Sequence, residues 1–453
     1  MVRNGIARAL GAIASLFYAL ECEGAAYPTT GPFLVTANHP NALLDPLIVL
    51  RSAGRLVRPL AKAPLFSHPL IGIALRVLGG LPVYRRQDDP ALLEQNDRTF
   101  EAAIAALGRG EAIQIYPEGQ SHSEPELAPL KTGAARIALQ AEDAHGWTLG
   151  LRVVPVGLTY ARKRFFRGSA LALVGESFGL ADLRSDYRAD PRAAARALTD
   201  RIDRALREVT VNLRSERDRE LVETAERIWA REKGVASWRE REPLSARVPR
   251  LQAFARGVAW LRAEDHDRYE ALARRVARYR RLADALGAGE AADVPPRVVF
   301  LDVVRYLALR ALPLSLASFL AAAAAVVWGA AYLFPPAVIR ITSLREDELA
   351  TWKLVPAVLA YPVVYAAWLL LAYRLGGFGA LLAAAVALPA LGAFAVAWRE
   401  RLRQAIEDAR LFLRTVGRPG TVARLGRERA SLVAEFDALA EGRSVTHHGS
   451  SVE

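Results

Sequence analysis

Between residues 21 and 200, short apolar runs alternate with stretches of helical period. Phe33–Ala37, Leu81–Tyr84, Ile113–Tyr116, Val153–Leu158 and Leu171–Val174 are too short for helices and rich in β-branched or aromatic residues, so they predict strands. Ala91–Leu107 and Lys131–Glu142 carry apolar residues at helical spacing and predict helices. The alternation predicts an α/β layered domain over residues 21–200. Ahead of it, residues 1–20 set Gly5, Ala7, Leu10, Ile13 and Phe17 on one face, with Arg3 and Arg8 among them. No A-x-A cleavage site follows, so this stretch reads as an uncleaved helix lying in a membrane interface rather than a signal peptide.

The pattern changes after residue 200. Residues 201–300 form a charged helical region with apolar positions at helical spacing (Leu206, Val209, Leu213; Leu221, Ile228) and an excess of basic residues. Pro243 and Pro249 are expected to separate two helical pieces, and the charge reads as solvated helix faces rather than a polyanion site. Residues 301–400 turn apolar. Leu312–Phe334, Leu354–Leu375 and Phe378–Trp398 each approach the roughly 20 residues that cross a bilayer. Arg305, Arg310, Arg340, Lys353, Arg374 and Arg399 flank them, and Trp328, Tyr332, Trp352, Trp368 and Trp398 can anchor at the interface. Gly376-Gly377 leaves so short a link that the second and third segments should form a hairpin. Residues 401–453 read as a basic helical tail, disordered at its end around His447-His448.

Composition adds a constraint. The 453 residues carry a net charge of +12 and 52% hydrophobic residues. A nucleic-acid partner would account for the charge but not for the apolar segments; an anionic membrane accounts for both, at roughly 1 kcal/mol per basic residue near its surface. A single cysteine, Cys22, excludes an intrachain disulfide and a cysteine-based metal site, and fits a reducing compartment. No histidine pair has H-E-x-x-H spacing, so no metal or other cofactor is expected.

The candidate chemistry begins at Asn38-His39-Pro40-Asn41-Ala42-Leu43-Leu44-Asp45-Pro46, directly after the first strand. A histidine at a strand exit with a carboxylate nearby supplies a base and a group to orient it. Gly80-Leu81-Pro82-Val83-Tyr84-Arg85-Arg86 ends a strand in two guanidinium groups suited to phosphate oxygens. Tyr116-Pro117-Glu118-Gly119-Gln120-Ser121-His122 ends another strand in a carboxylate and a glycine. Lys131 opens the following helix, where it and the backbone N–H groups could face an anion. Val154-Pro155-Val156-Gly157 belongs to a later strand.

In this order the blocks resemble the glycerolipid acyltransferase superfamily, over roughly residues 20–180. That family is marked by a histidine–aspartate motif, G-x-I-P-V-x-R, F-P-E-G and V-P-V, here His39…Asp45, Gly80–Arg85, Tyr116–Gly119 and Val154–Val156. Five residues separate His39 from Asp45 where the usual motif has four, and Y-P-E-G-Q-S-H replaces F-P-E-G-T-R-S. Both variants resemble the fungal-type glycerol-3-phosphate/dihydroxyacetone-phosphate acyltransferases, which also carry membrane segments after the catalytic domain. The lysophosphatidate acyltransferases are the neighbouring group.

The resemblance implies an integral membrane enzyme, its catalytic domain on the cytoplasmic face, that moves an acyl group from acyl-CoA or acyl-carrier protein to glycerol 3-phosphate or 1-acylglycerol 3-phosphate. His39 would be the general base and Asp45 its orienting partner. Arg85 would bind the acceptor phosphate, with Arg86 and Lys131 beside it, and Glu118 and Gly119 would shape the glycerol pocket. Membrane lipid, the acyl donor and the glycerol phosphate acceptor are the implied partners.

Two other readings have some footing. Gly175-Glu176-Ser177-Phe178-Gly179 matches G-x-S-x-G, the nucleophile elbow of serine hydrolases, but confirmation needs a helix right after it and later Asp and His partners. A catalytically silent membrane scaffold is the other. A transporter is disfavoured, because no Asp, Glu or His lies in the three apolar segments.

Three full crossings would put the basic region before the first segment and the Arg-rich stretch after Trp398 on opposite sides, against the positive-inside rule. An in-plane or re-entrant first segment would restore the rule. Tags before residue 312 and after residue 398 should then be digested from the same side in a protease-protection assay; digestion from opposite sides establishes three crossings.

Overall fold

The computed structural model describes residues 2–85, 94–163, 167–235, 242–286, 304–305, 307–341, 349–416 and 418–449. The chain forms two compact units. The first holds Met1–Glu216, Pro243–Gln252 and Arg345–Thr351, and the second holds Arg217–Glu242, Ala253–Leu344 and Trp352–Glu453.

The first unit opens with helix α1 (Val2–Phe17) and strand β1 (Tyr18–Gly24), then β2 (Phe33–Ala37), α2 (Leu44–Ala53) and β3 (Val57–Lys62). A short 3-10 turn (Ala63–Ser67), α3 (Ile71–Val77), β4 (Leu81–Val83), α4 (Gln95–Gly108), β5 (Ala112–Ile115) and α5 (Gly133–Ala144) follow. β6 (Arg152–Ala161), β7 (Gly168–Val174), α6 (Arg184–Ala189) and α7 (Pro191–Val209) complete the layers. The sheet order is β1-β7-β6-β2-β5-β3-β4, parallel throughout except for the antiparallel pair β6–β7. Every residue of β2 is buried, as a central parallel strand covered on both faces must be. The expected α/β layers are therefore present, with two strands, β1 and β3, that the apolar runs did not reveal. β1 carries Glu21, Cys22 and Glu23 and is exposed at its far end, so it lacks the signature of a buried strand.

Core packing runs from the sheet through α4, α5 and α7, with Leu34, Leu107, Ile113, Ile137, Leu139, Leu198 and Leu206 almost wholly buried. The expected boundary at residue 200 falls inside α7, because Ile202, Leu206 and Val209 continue the same apolar stripe into this core. α1 buries Ala7, Gly11 and Ala14 against α2, where Gly11 lies close to the Arg51 backbone. The buried stripe thus runs through small residues to Phe17, while Leu16 faces outward. Glu21 accepts Leu244 N at 2.8 Å and Ser245 N at 2.8 Å, capping α9 (Leu244–Glu264) after α8 (Glu216–Glu232). Pro249 lies inside α9 without ending it, so only Pro243 marks the expected break.

In the second unit, α10 (His266–Ala285), α11 (Leu312–Ile341), α12 (Leu349–Val416) and α13 (Pro419–Gly449) follow. The buried Asp218 accepts from Arg262 and, at 2.8 Å, from Tyr269. Arg275 ties α10 to Glu428, Ser431 and Glu435 of α13. The expected disordered histidine pair lies within α13, which continues to Gly449; Leu425, Leu432, Val433 and Phe436 bury one face of that helix.

α11 and α12 contain two stretches, Leu312–Val338 and Pro356–Glu407, long and apolar enough to cross a membrane by length and composition. α12 breaks at Gly376–Gly377, where Gly377 has φ +67 and ψ −157, a conformation nearly restricted to glycine. Tyr365 OH donates to Ala385 O at 2.9 Å. Twenty residues of straight helix would hold those groups about 30 Å apart, so the two halves fold back as the expected hairpin. α11 joins them: Trp328 donates to Leu388 O at 3.2 Å, Trp368 to Val327 O at 2.9 Å and Trp398 to Leu314 O at 2.9 Å. Three of the expected interfacial anchors thus also clasp neighbouring helices, because each indole N–H finds a helix carbonyl. The outer faces stay apolar, with Phe319 85% and Val386 74% exposed.

β6 passes so close to the end of α7 that a Cβ on Gly157 would lie 1.8 Å from Val209 O. Gly157→Ala should therefore destabilise the first unit by about 2–3 kcal/mol. Thermal unfolding of the full chain checks this, and an unchanged midpoint would show that the strand and helix can part at little cost.

Candidate active site

Parallel strands bring their carboxyl ends to one edge, where α/β sheets place ligand sites. His39 follows β2, Glu118 and Gly119 follow β5, and Arg85 follows β4. Three of the sequence blocks therefore meet along one edge of the sheet although Arg85 and His39 are far apart in sequence. The fourth block, Val154–Val156, lies in β6 and pairs with β2 through Val35↔Val154 and Ala37↔Val156.

His39 Nδ1 lies 2.8 Å from Asp45 Oδ2. Asp45 is fully buried and the histidine side chain 18% exposed, so the pair keeps its anion away from water and presents the ring to the cleft. With Nδ1 engaged, Nε2 is the nitrogen left to accept a proton. The ring stacks on Tyr116 at a centroid distance of 4.0 Å. Asp45 Oδ2 also accepts Asn41 N at 2.7 Å, and Oδ1 accepts from the Tyr160 hydroxyl. Burial first, then the Asp45 charge, pushes the Tyr116 and Tyr160 hydroxyls well above the ordinary tyrosine range, so both remain protonated donors.

The longer loop is absorbed locally. Ala42 adopts φ +38, a left-handed conformation unusual for alanine. Its amide donates to Ser121 Oγ at 3.1 Å. The buried Asn41 side chain donates to Tyr18 OH at 2.8 Å, and Lys163 Nζ donates to Pro40 O at 2.8 Å and to Ser123 Oγ. Asn38 exchanges two bonds with the Leu158 backbone, at 3.1 and 2.7 Å, extending the β2–β6 pairing by one side chain.

Glu118 has a bracing role that the sequence blocks did not reveal. It is buried, its Oε1 accepts His39 N at 2.9 Å, and its Oε2 accepts Ala128 N at 2.9 Å and pairs with His122 Nε2. Both oxygens are engaged within the protein, so the carboxylate fastens the His39 backbone to the loop after β5 while lining the cleft beside that histidine. The cleft beside His39 is lined by Asn38, Pro40, Glu118, His122, Leu127 and Asn212, among others.

On the other side of the loop, cations converge on Gly119. Arg85 Nη1 donates to Gly119 O at 3.4 Å, and a Cβ on Gly119 would lie 2.5 Å from Lys131 Nζ. Lys131 is exposed and precedes α5, whose first helical residue is Gly133, so it stands ahead of the helix rather than opening it. Lys62, at the end of β3 between β5 and β4, reaches the same edge; no local motif marked it because strand order is invisible in sequence. Arg86 lies outside the described residues. Among the described residues no cluster of three or more His, Cys, Asp or Glu could hold a metal ion.

Ser177 lacks the surroundings of a nucleophile elbow. No helix follows it directly, and its Oγ accepts from Arg152 at 3.0 Å rather than from an imidazole. A guanidinium donates and cannot take the serine proton.

Residues 19–159 match the family model described as Acyltransferase, a span containing all four sequence blocks. The resemblance read from those blocks is borne out for this part of the chain. Glycerol-3-phosphate O-acyltransferase 2 of Saccharomyces cerevisiae is 26% identical over 61% of this chain and 38% of its own length. The 1-acyl-sn-glycerol-3-phosphate acyltransferase LPAT1, chloroplastic, of Arabidopsis thaliana is 28% identical over 34% of this chain and 39% of its own. This chain thus spans well under half the length of these relatives. The crystal structure of the 1-acyl-sn-glycerophosphate (LPA) acyltransferase from Thermotoga maritima aligns with a TM-score of 0.32 and 19% identity, covering 43% of this chain and 77% of that one.

Gly119 has φ +72, and a methyl group there would displace Lys131. Gly119→Ala should leave the unfolding free energy within about 2 kcal/mol of wild type, from the left-handed strain. Its affinity for inorganic phosphate should fall at least severalfold, as read by titration calorimetry. Equal phosphate affinity would detach Gly119 and Lys131 from anion binding.

Proposed function

We propose that this chain is a membrane-bound glycerolipid O-acyltransferase that moves a fatty acyl group from an acyl thioester to glycerol 3-phosphate or 1-acylglycerol 3-phosphate. The observation that carries the reading is the buried Asp45 carboxylate 2.8 Å from His39 Nδ1, which leaves Nε2 as the proton acceptor in the cleft. An alcohol is far too weak an acid to ionise alone at neutral pH. His39 removes its proton as the oxygen attacks the thioester carbonyl, and Asp45 stabilises the imidazolium that forms. The tetrahedral intermediate then expels the thiolate, the C–S bond breaks, and the imidazolium returns the proton to sulfur. No enzyme nucleophile or cofactor enters this sequence.

Arg85 and Lys131 grip the acceptor phosphate beside Gly119, with Arg86 as a further cation. Glu118 acts by holding the His39 backbone. Both named acceptors carry a phosphate and a free hydroxyl, and the curated relatives include one of each kind. The longer His39–Asp45 loop tilts the reading toward glycerol 3-phosphate, and either acyl-CoA or acyl-carrier protein supplies the same thioester. The outward apolar faces of α11 and α12 support a bilayer as their surroundings, and the basic flanks support a cytoplasmic catalytic unit.

His39→Ala should lower turnover by about 10²–10⁴-fold with the fold intact. Arg85→Ala should chiefly raise the acceptor KM, by roughly 10- to 100-fold for a lost charge-assisted contact. The purified full chain, assayed with one labelled acyl-CoA and both acceptors, checks the pair. Retained turnover in His39→Ala would remove the general-base mechanism, and an unaltered KM in Arg85→Ala would remove its phosphate role.

A further inference from the structure

The His39–Asp45 pair has a third member that no sequence block contains. β2 ends at Ala37, opposite Val156, but β6 runs on to Ala161 and is held there by β7 through Tyr160↔Ala170. This overhang carries Tyr160 past the strand edge to Asp45, and its hydroxyl donates to Oδ1. Oδ2 serves His39 Nδ1 and Asn41 N, so the two carboxylate oxygens divide their work. The Tyr160 ring packs edge-on against Tyr18 at 5.2 Å, which fixes the hydroxyl's direction.

We propose that Tyr160 is a positioning residue for the His39–Asp45 pair, holding the carboxylate toward Nδ1 and setting how strongly that carboxylate retains a proton on the imidazole. A hydrogen bond to Oδ1 draws negative charge away from Oδ2. Without it, Asp45 attracts the imidazolium more strongly and the carboxylate can rotate. The base then sheds its proton only at higher pH and is less often aligned with the acceptor. Its kinetic consequence rests on the acyl-transfer reading; its effect on His39 does not.

Other groups face this cluster. Tyr18 from β1 bonds Asn41, and Tyr116 at the end of β5 stacks on His39. Glu118 with its partner His122 holds the His39 backbone, and Lys163 beyond β6 holds Pro40 O. Among the described bonds, only that of Tyr160 reaches Oδ1, so its removal has a signature of its own.

The test uses Tyr160→Phe, which keeps the ring, with Tyr18→Phe as the comparison. Diethyl pyrocarbonate modifies neutral imidazole, so its rate at His39, followed by peptide mass spectrometry across pH, reports the His39 titration in the full-length protein without any assay of activity. Tyr160→Phe should move that midpoint to higher pH. Tyr18→Phe should leave it in place. In acyl transfer, Tyr160→Phe should lower kcat at neutral pH roughly 10- to 100-fold, with the acceptor KM unchanged and the acid limb displaced in the same direction. An unmoved His39 midpoint, or an equal shift in Tyr18→Phe, overturns the proposal. A shifted midpoint in Tyr160→Phe, together with a wild-type chain that transfers no acyl group, upholds it and rejects the acyltransferase reading alone.

Discussion

The buried Asp45 carboxylate is the constraint around which the α/β unit is arranged. It has no exposure to water, so its charge must be met by donors from the protein. A lone buried charge costs several kcal/mol, and removing one partner of a buried pair typically costs about 3–5 kcal/mol. Three donors meet this one: the His39 ring, the Asn41 amide and the Tyr160 hydroxyl. They come from the loop after β2 and from β6, so satisfying the charge also fixes the loop to the sheet. The same bonds that make the burial tolerable set the tautomer of His39.

A second buried carboxylate, Glu118, does similar work from the other side. Its bonds to His39 N, Ala128 N and His122 join two loops that the sheet brings to one edge. Its neighbour Gly119 is where the charge changes sign: Arg85 and Lys131 approach it because no Cβ blocks the way. The edge of the sheet thus presents an imidazole flanked by held carboxylates at one end and two cationic side chains at the other. That polarity suits a substrate with an anionic group and a hydroxyl a few ångströms apart.

The second unit is held together differently. Its apolar helices satisfy their backbones internally and use indole and phenol donors on helix carbonyls to clasp one another. Charged clusters such as Asp218–Arg262–Tyr269 and Arg275–Glu428–Glu435 lie on helices outside those apolar stretches.

The sequence alone determined the α/β alternation, the family resemblance and the apolar helices with their glycine hairpin, and it offered His39, Asp45 and Arg85 as candidates. Those features are local: period, run length and short spacings reach no further than a strand and its following loop. Tyr160 was not legible, because its closeness to Asp45 depends on β6 lying beside β2 and outrunning it. Lys62 was hidden for the same reason, since the order β5-β3-β4 is set by crossovers. Glu118 was seen, but its bracing of the His39 backbone was not, because that bond depends on burial between two loops. Strand order and burial depend on contacts between distant segments, and only the tertiary structure decided them.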